Sequence, residues 1–329
     1  MVSVRYVGSR ALQTVFLLWF MLTFLFFFFR LMPGSYLDIM MYRGADPESI
    51  AVFKENWGLN DPLYVQYGRY LVNFLGFDAG LSVQYREPVW DLVRRRMFNT
   101  FILVAPAITL SYVVGGVIGG LIGSRRDSRA GEHGLGALIF VGSLPSFFVG
   151  ILLIAMFSMW AGLFPTSGMV SPEVTRTYRD AVWWRPYLTG DFAMHYTLPF
   201  VAIVFRYLYF PSLIIRTSFI DVTRQEFNEF YRVAGLTPRA RLRHQLKHAS
   251  LPLITLYPLS MTWALGGMVL IETVFNWPGI GQMLVQAVLS RDYPVIQFVF
   301  FIIAAFVILS NFVVDLVYGV VDPRISADD

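Results

Sequence analysis

The 329-residue chain has no cysteine, only 15% charged residues and two lysines, Lys54 and Lys247. Without cysteine there are no disulfides, thiolate metal sites or cysteine nucleophiles. Soluble domains carry roughly 25% charged residues, so water is not the main solvent of this chain. Neither lysine follows a glycine, which excludes the phosphate-binding loop of a P-loop ATPase. No G-x-S-x-G elbow is present to present a serine nucleophile. His244 and His248 have the i, i+4 spacing of a zinc pair, but Gln245 stands where a zinc protease needs its glutamate, so no metal is expected there. The chain is read as carrying no catalytic residues and no cofactor of its own. Its formal net charge of +4 is almost wholly arginine. No run joins clustered cations to interleaved stacking aromatics outside an apolar span, so the expected partner of this basicity is membrane lipid and not nucleic acid.

What is abundant is apolar. The sequence is 56% hydrophobic and 17% aromatic, gathered into blocks about as long as a bilayer is thick. Charge-free blocks cover residues 11–29, 99–124, 134–160, 249–271 and 295–314, and a sixth, 196–215, is interrupted only by Arg206. Each reads as a helix, because an unpaired backbone does not persist in lipid. The expectation is therefore an all-α membrane protein with a six-helix transmembrane bundle. Arginine in the short loops orients it. Arg125, Arg126 and Arg129 follow the second span, and seven cations from Arg216 to Lys247 follow the fourth. The loops after the third and fifth spans carry only Arg176, Arg179 and Arg185, and Arg291. Both termini are expected in the cytoplasm, with residues 31–98 forming a long external loop. Arg94, Arg95 and Arg96 run against the rule, but long loops carry little topological weight.

Gly115, Gly116, Gly119, Gly120 and Gly123 recur on nearly one face of the second span, which suits close helix packing or a glycine-lined pore wall. In the first loop, Asp46-Pro47-Glu48 opens a short helix and Gly58 closes it. The third loop mixes Pro165, Pro172 and Pro186 with Trp183 and Trp184, a composition suited to the membrane interface. The fourth loop, within residues 220–250, reads as two short helices set at an angle. Asp221 or Thr223 caps the first, and Gly235 follows its end, where a left-handed backbone is cheap only for glycine. Thr237 caps the second, with Pro238 at its first position. Arg239, Arg241, Arg243 and Lys247 are spread around that helix, and Leu236, Leu242 and Leu246 form an apolar strip. The competing description is a solvated basic loop near anionic lipid.

Three charges fall within or beside the spans: Arg206 near the middle of the fourth, Asp315 in the inner half of the sixth and Glu272 near the outer end of the fifth. Such groups are costly in lipid and often functional. They serve either as salt bridges and backbone contacts inside the bundle or as substrate contacts. They also define the alternative reading, a stand-alone secondary carrier driven by ions.

Beyond these patterns, residues 226–236 (EFNEFYRVAGL), with His244 and Leu251-Pro252, resemble the cytoplasmic EAA loop of ABC importer permeases. The step from Gly235 to Pro252 is similar to the dipeptide and oligopeptide branch. Residues 271–281 (IETVFNWPGIG) resemble that branch's E-T-V-F-x-W-P-G-x-G signature, and Arg291-Asp292-Tyr293-Pro294 and Asp322-Pro323-Arg324 its closing motifs. In the amino-terminal half, Arg30-Leu31-Met32-Pro33-Gly34, Gly58-Leu59 with Pro62, Gln66 and Tyr67, and Leu144-Pro145-Ser146-Phe147 agree in order. Phe230 and Tyr231 stand where the branch has small alanines, Ala234 where it has lysine and Ser35 where aspartate is commoner.

The resemblance implies a permease subunit that moves peptides inward by alternating access, works beside a second homologous permease and two cytoplasmic ATP-binding subunits, and receives substrate from an external binding protein. Dipeptides, oligopeptides, nickel chelates and sugars are all substrates of proteins resembling this one. By carry-over, Glu229, Arg232, Gly235, Leu236, Pro238 and Arg239 belong to the element that docks on an ATPase, and Glu272, Trp277, Pro278 and Gly279 to a turn that shapes the external mouth or serves rigidity alone. The organisation expected is a cytoplasmic segment 1–10, a first transmembrane helix 11–30, the external loop 31–98 with short helices, a five-helix permease core 99–325 and a tail 326–329, in the cell membrane.

Overall fold

The computed structural model describes residues 4–31, 41, 47–56, 58–125, 128–178 and 182–321. Met32, Pro33, Gly34, Ser35, Asp46, Arg126, Arg179, Asp322, Pro323, Arg324 and the tail 326–329, which enter the sequence reading, lie outside the described residues. Helices satisfy their own backbone, and among the described residues they are the only regular structure beyond one isolated bridge between Leu81 and Pro88. In chain order they are α1 (Val4–Leu31), α2 (Pro47–Asn56), α3 (Leu63–Leu75), α4 (Val89–Ser124), α5 (Arg129–Ser143), α6 (Ser146–Leu153) continuing as a π-helical stretch (Ile154–Trp160), α7 (Pro172–Thr177), a 3-10 turn (Arg185–Leu188), α8 (Gly190–Thr223), α9 (Phe227–Val233), α10 (Pro238–Ala249), α11 (Leu251–Val274), α12 (Ile280–Leu289) and α13 (Tyr293–Val321).

Four of these, α1, α4, α8 and α13, are long and apolar enough to cross a membrane unaided. The count reaches six when two bent pairs are each taken as one span: α5 with α6 and its π-helical continuation, bent by 95°, and α10 to Ala264 with Gly266–Val274, bent by 53°. The block 134–160, expected as one helix, is thus two. Pro145 lacks the N–H that would continue α5 and pushes Leu144 into an extended conformation, φ −74° and ψ 132°, so the chain turns there. Other helices outrun their charge-free blocks. α4 begins at Val89, ten residues before Asn99, and takes up the arginine cluster expected in the loop. On the helix Arg94 pairs with Asp91 at 2.9 Å and Arg95 with Glu87 at 2.7 Å, so the charges are partnered at a helix start.

The chain forms two compact units, Met1–Thr100 with Gly279–Asp329, and Phe101–Pro278. In the first, α1 lies along α13. The Tyr6 hydroxyl donates to the Asp315 carbonyl at 3.0 Å and Arg10 meets the Asp315 carboxylate at 3.5 Å. Phe26, Tyr70, Phe74 and Phe298 fill the interior with ring centroids 4.3–5.6 Å apart between neighbours. Asp292 is buried and accepts from the Ser82 hydroxyl at 2.5 Å and from the N–H groups of Val83 and Gln84 at 3.3 and 3.1 Å. One carboxylate thereby holds the turn between α3 and α4 against the start of α13.

In the second unit the glycine face of α4 meets α8 backbone to backbone. A Cβ on Gly119 would overlap the Ser212 carbonyl oxygen and lie 2.9 Å from its carbon, and one on Gly115 would lie 2.9 Å from the Leu208 carbonyl oxygen. Gly123 faces the Arg216 backbone at 3.3 Å in the same way. Of the two readings of these glycines, the geometry selects close packing. Ser111, fully buried, donates to both the Ala107 carbonyl of its own helix and the Val204 carbonyl of α8, at 2.7 and 3.1 Å, and locks the register.

Candidate functional site

The elbow between α9 and α10 is built from turn and cap hydrogen bonds. α9 ends in a Schellman arrangement: the Leu236 N–H reaches the Tyr231 carbonyl at 3.1 Å and the Gly235 N–H the Arg232 carbonyl at 3.2 Å. Gly235 has φ +75°, as its place after the helix end predicts. Two residues on, the Thr237 hydroxyl accepts the Ala240 N–H at 3.3 Å, and Pro238 occupies the first turn of α10, where a missing N–H costs nothing. The cap expected at the start of α9 is different. α8 runs through Asp221 to Thr223, whose hydroxyl donates back to the Ile220 carbonyl, and Glu226 stands at the N-cap with no side-chain bond. The start of α9 is held instead by the Asn228 amide on the Val222 carbonyl.

Two kinds of contact fix the angle of the elbow. Rings ladder across it, with Phe227 at 5.3 Å from His248 and Tyr231 at 5.2 Å from His244. The Gln245 amide donates to the Asn228 side-chain oxygen at 2.9 Å. The two histidines therefore serve as packing partners, and no group of three or more metal-ligating side chains occurs among the described residues. Beneath, Phe219, Val222 and Ala249 form a small buried core with Phe227 and Leu246, tying the elbow to the end of α8.

The outward side is left open. Phe230 is 68% and Val233 79% exposed, and Glu229 and Arg232 pair at 2.5 Å on the same exposed surface. Leu236 is half-buried and Pro238 and Arg239 are exposed. Arg239, Leu242 and Arg243 line an open cleft of about 600 Å³ beside Thr237 and His244. An exposed apolar pair, flanked by cations and held on a rigid frame, suits another protein better than it suits bulk water. Exposed ion pairs such as Glu229–Arg232 contribute only ~0–1 kcal/mol, so the rigidity comes from the cap, the rings and the small core.

The turn after α11 is built differently. Glu272 is fully buried and its carbonyl accepts the Trp277 N–H at 2.7 Å. Trp277 is fully buried too, its ring 6.0 Å from Phe192 and 6.1 Å from Tyr196. Tyr187 extends this cluster at 5.3 Å from Phe192, and its burial pushes the phenol above its ordinary pKa. The left-handed residue in the turn is Asn276, at φ +47°, while Gly279 is extended at φ −100° and ψ −177°. The Phe275 carbonyl also accepts the Gly168 N–H at 2.8 Å. Tryptophan here is an anchor sunk in the unit rather than a side chain offered to a ligand.

The intramembrane charges part company. Asp315 is taken up by Arg10 in the first unit, whereas Arg206 lies in the second, half-buried on α8, with its guanidinium 5.6 Å from the Tyr207 ring centre and no carboxylate paired with it among the described residues. The elbow joins α9 to α10, the turn follows α11, and Arg206 stands within α8. Sequence reasoning passed over Asn276, the Asn228–Gln245 bond and the role of Asp292. Asn276, Asn228 and Asp292 each stood inside a quoted motif without an assigned part, and Gln245 was noted only as a missing glutamate.

Residues 113–327 match the family model described as binding-protein-dependent transport system inner membrane component, and residues 3–104 match the model of its amino-terminal part. The chain is 32% identical over 322 residues to a probable peptide ABC transporter permease protein, y4tP, of Sinorhizobium fredii, which covers 97% of this chain and 98% of the relative. It is 31% identical over 327 residues to the glutathione transport system permease protein GsiC of Escherichia coli, covering 98% of each. With the oligopeptide transport system permease protein AppB of Bacillus subtilis it shares 29% identity over 324 residues, 98% of this chain and 99% of the relative.

Proposed function

The chain belongs to the family of binding-protein-dependent transport system inner membrane components, as a permease subunit of a peptide-moving ABC importer in the inner membrane, and from that premise we propose that the α9–α10 elbow is where it receives the motion driven by ATP. The observation that carries this reading is the pairing of an exposed, rigidly braced elbow with a sequence that has no phosphate-binding loop. Glu229, Arg232, Gly235, Leu236, Pro238 and Arg239 then present the docking element to an ATP-binding subunit. Phe230 and Val233 supply the apolar contact.

On this reading both termini and the elbow face the cytoplasm, in keeping with the seven cations between Arg216 and Lys247. Two ATP-binding subunits, a second homologous permease and an external binding protein complete the importer. Trp277 anchors the turn on the external side. A rigid bent element passes on closure of the ATP-binding subunits as rigid-body motion. The permease contributes no covalent chemistry and needs no cofactor.

The carrier alternative relies on Arg206, Asp315 and Glu272 being available to ions and substrate, yet Asp315 is engaged by Arg10. No observation favours it. The decisive experiment purifies the chain alone and with its ATP-binding subunits. The chain alone is expected to hydrolyse no ATP, the assembly to hydrolyse it, and Phe230→Glu to lower co-purification with the ATP-binding subunit at least tenfold. ATP hydrolysis by the chain alone, or undiminished assembly of the Phe230 variant, overturns the reading.

A further inference from the structure

The seam between α8 and α11 gathers groups whose bonding capacity the protein leaves unspent. Arg206 stands sixteen residues after Gly190 and seventeen before Thr223, at the middle of a span. It shares a helix face with Phe210, four residues on, whose ring lies 5.9 Å from Trp263 of α11. The next residue, Tyr207, brings its hydroxyl to 3.3 Å from where a Cβ on Gly267 would sit, and that hydroxyl has no hydrogen-bond partner among the described residues. At this level the segment Pro238–Ala264 gives way to Gly266–Val274, the two set 53° apart. Gly266 and Gly267 are exposed, and a Cβ on Gly266 would meet nothing within 4 Å, so the backbone of the bend is bare. One turn earlier the Thr262 hydroxyl oxygen is buried without a hydrogen-bond partner.

A guanidinium inside a span is costly and is kept where it meets a partner or a water-filled path. The Tyr207 ring offers Arg206 one aromatic surface, but a guanidinium has five N–H donors, and no carboxylate pairs with it among the described residues. A bent span with exposed backbone likewise belongs beside a cavity rather than against lipid tails.

We propose that Arg206, with the Tyr207 hydroxyl, forms an anion subsite on the translocation path that takes the C-terminal carboxylate of the peptide. The proposal rests on the peptide-importer reading above. The fork of the guanidinium matches the two carboxylate oxygens, and the phenol donates from the side. Every linear peptide carries this one carboxylate whatever its side chains, so the subsite reads the feature common to all of them. One cation without a second locks nothing in place, and the substrate can leave.

The test uses the complete importer in proteoliposomes and measures uptake of one peptide as its free acid and as its C-terminal amide, in wild type, Arg206→Gln, Arg206→Lys and Tyr207→Phe. Arg206→Gln is expected to lower uptake of the acid at least tenfold and change uptake of the amide less than twofold. Arg206→Lys should keep a third or more of acid uptake, and Tyr207→Phe should fall between. Equal loss for acid and amide, or no loss for either, overturns the subsite and leaves the importer reading standing. A wild-type importer that moves neither form overturns both. Where the wild type accepts only the acid, a peptide with a photoreactive C-terminal residue decides: labelling of α8 or α11 in wild type that is lost in Arg206→Gln supports the subsite, and unchanged or absent labelling overturns it.

Discussion

Replacing Gly235 separates backbone conformation from side-chain size. The residue has φ +75°, and a Cβ there would meet nothing within 4 Å, so no substitution is punished for its bulk. What remains is the left-handed backbone, which costs an L-residue about 1–2 kcal/mol, less for asparagine and more for β-branched side chains. Alanine should therefore lower the population of the native elbow by roughly 5- to 30-fold, since 1–2 kcal/mol corresponds to that range. Valine should lower it further, and asparagine by only a few-fold. Escape from the strain means breaking the two Schellman bonds from Gly235 and Leu236, so the elbow opens rather than the bundle unfolding. Because the chain has no cysteine, a single cysteine pair introduced at Phe230 and Arg243 can carry spin labels and report the angle of the elbow directly. Uptake by the assembled importer, measured on the corresponding variants without the cysteine pair, should rank glycine, asparagine, alanine, valine in falling order while membrane insertion stays intact. A valine variant with native distance and native uptake would refute the reasoning, as would asparagine behaving like valine.

Gly119→Ala should cost about 1–3 kcal/mol, because its Cβ overlaps the Ser212 backbone, which cannot rotate away. Gly136→Ala, with nothing within 4 Å, should be neutral or stabilising by about 0.4–1 kcal/mol, and thermal unfolding of the detergent-solubilised protein compares the two. Asp292→Ala removes the acceptor for the Ser82 hydroxyl and two N–H groups, at about 2–3 kcal/mol, and should expose the stretch near Ser82 to limited proteolysis with α13 undisturbed.

Those predictions divide along the line between what sequence pattern carried and what it did not. The long helices α1, α4, α8 and α13 were legible because a bilayer forces an apolar block about 20 residues long to be a helix. Gly235, Thr237 and Pro238 were legible because each meets a requirement local to one or two residues. The bend at Pro145 was obscured by an apolar run that passes straight through it, although the proline that causes it is plain. The start of α9 was misplaced because Asp221 and Thr223 are good caps in isolation, whereas Phe219 and Val222 pack on Ala249 and α8 runs on to Thr223. Asp292 and Ser82 are 210 positions apart, and no local rule joins them.

α8 is 34 residues long, and at a rise of about 1.5 Å per residue it extends about 51 Å, well beyond the roughly 30 Å of hydrocarbon. Its tightest contact with α4, at Ser212, lies twenty-two residues from one end and eleven from the other. A beam seated at such a point has arms in the ratio of two to one. On the docking reading proposed above, a stroke delivered to the short arm by the elbow is expected to swing the long arm the opposite way, through about twice the distance where α8 stays straight across Pro199 and Pro211.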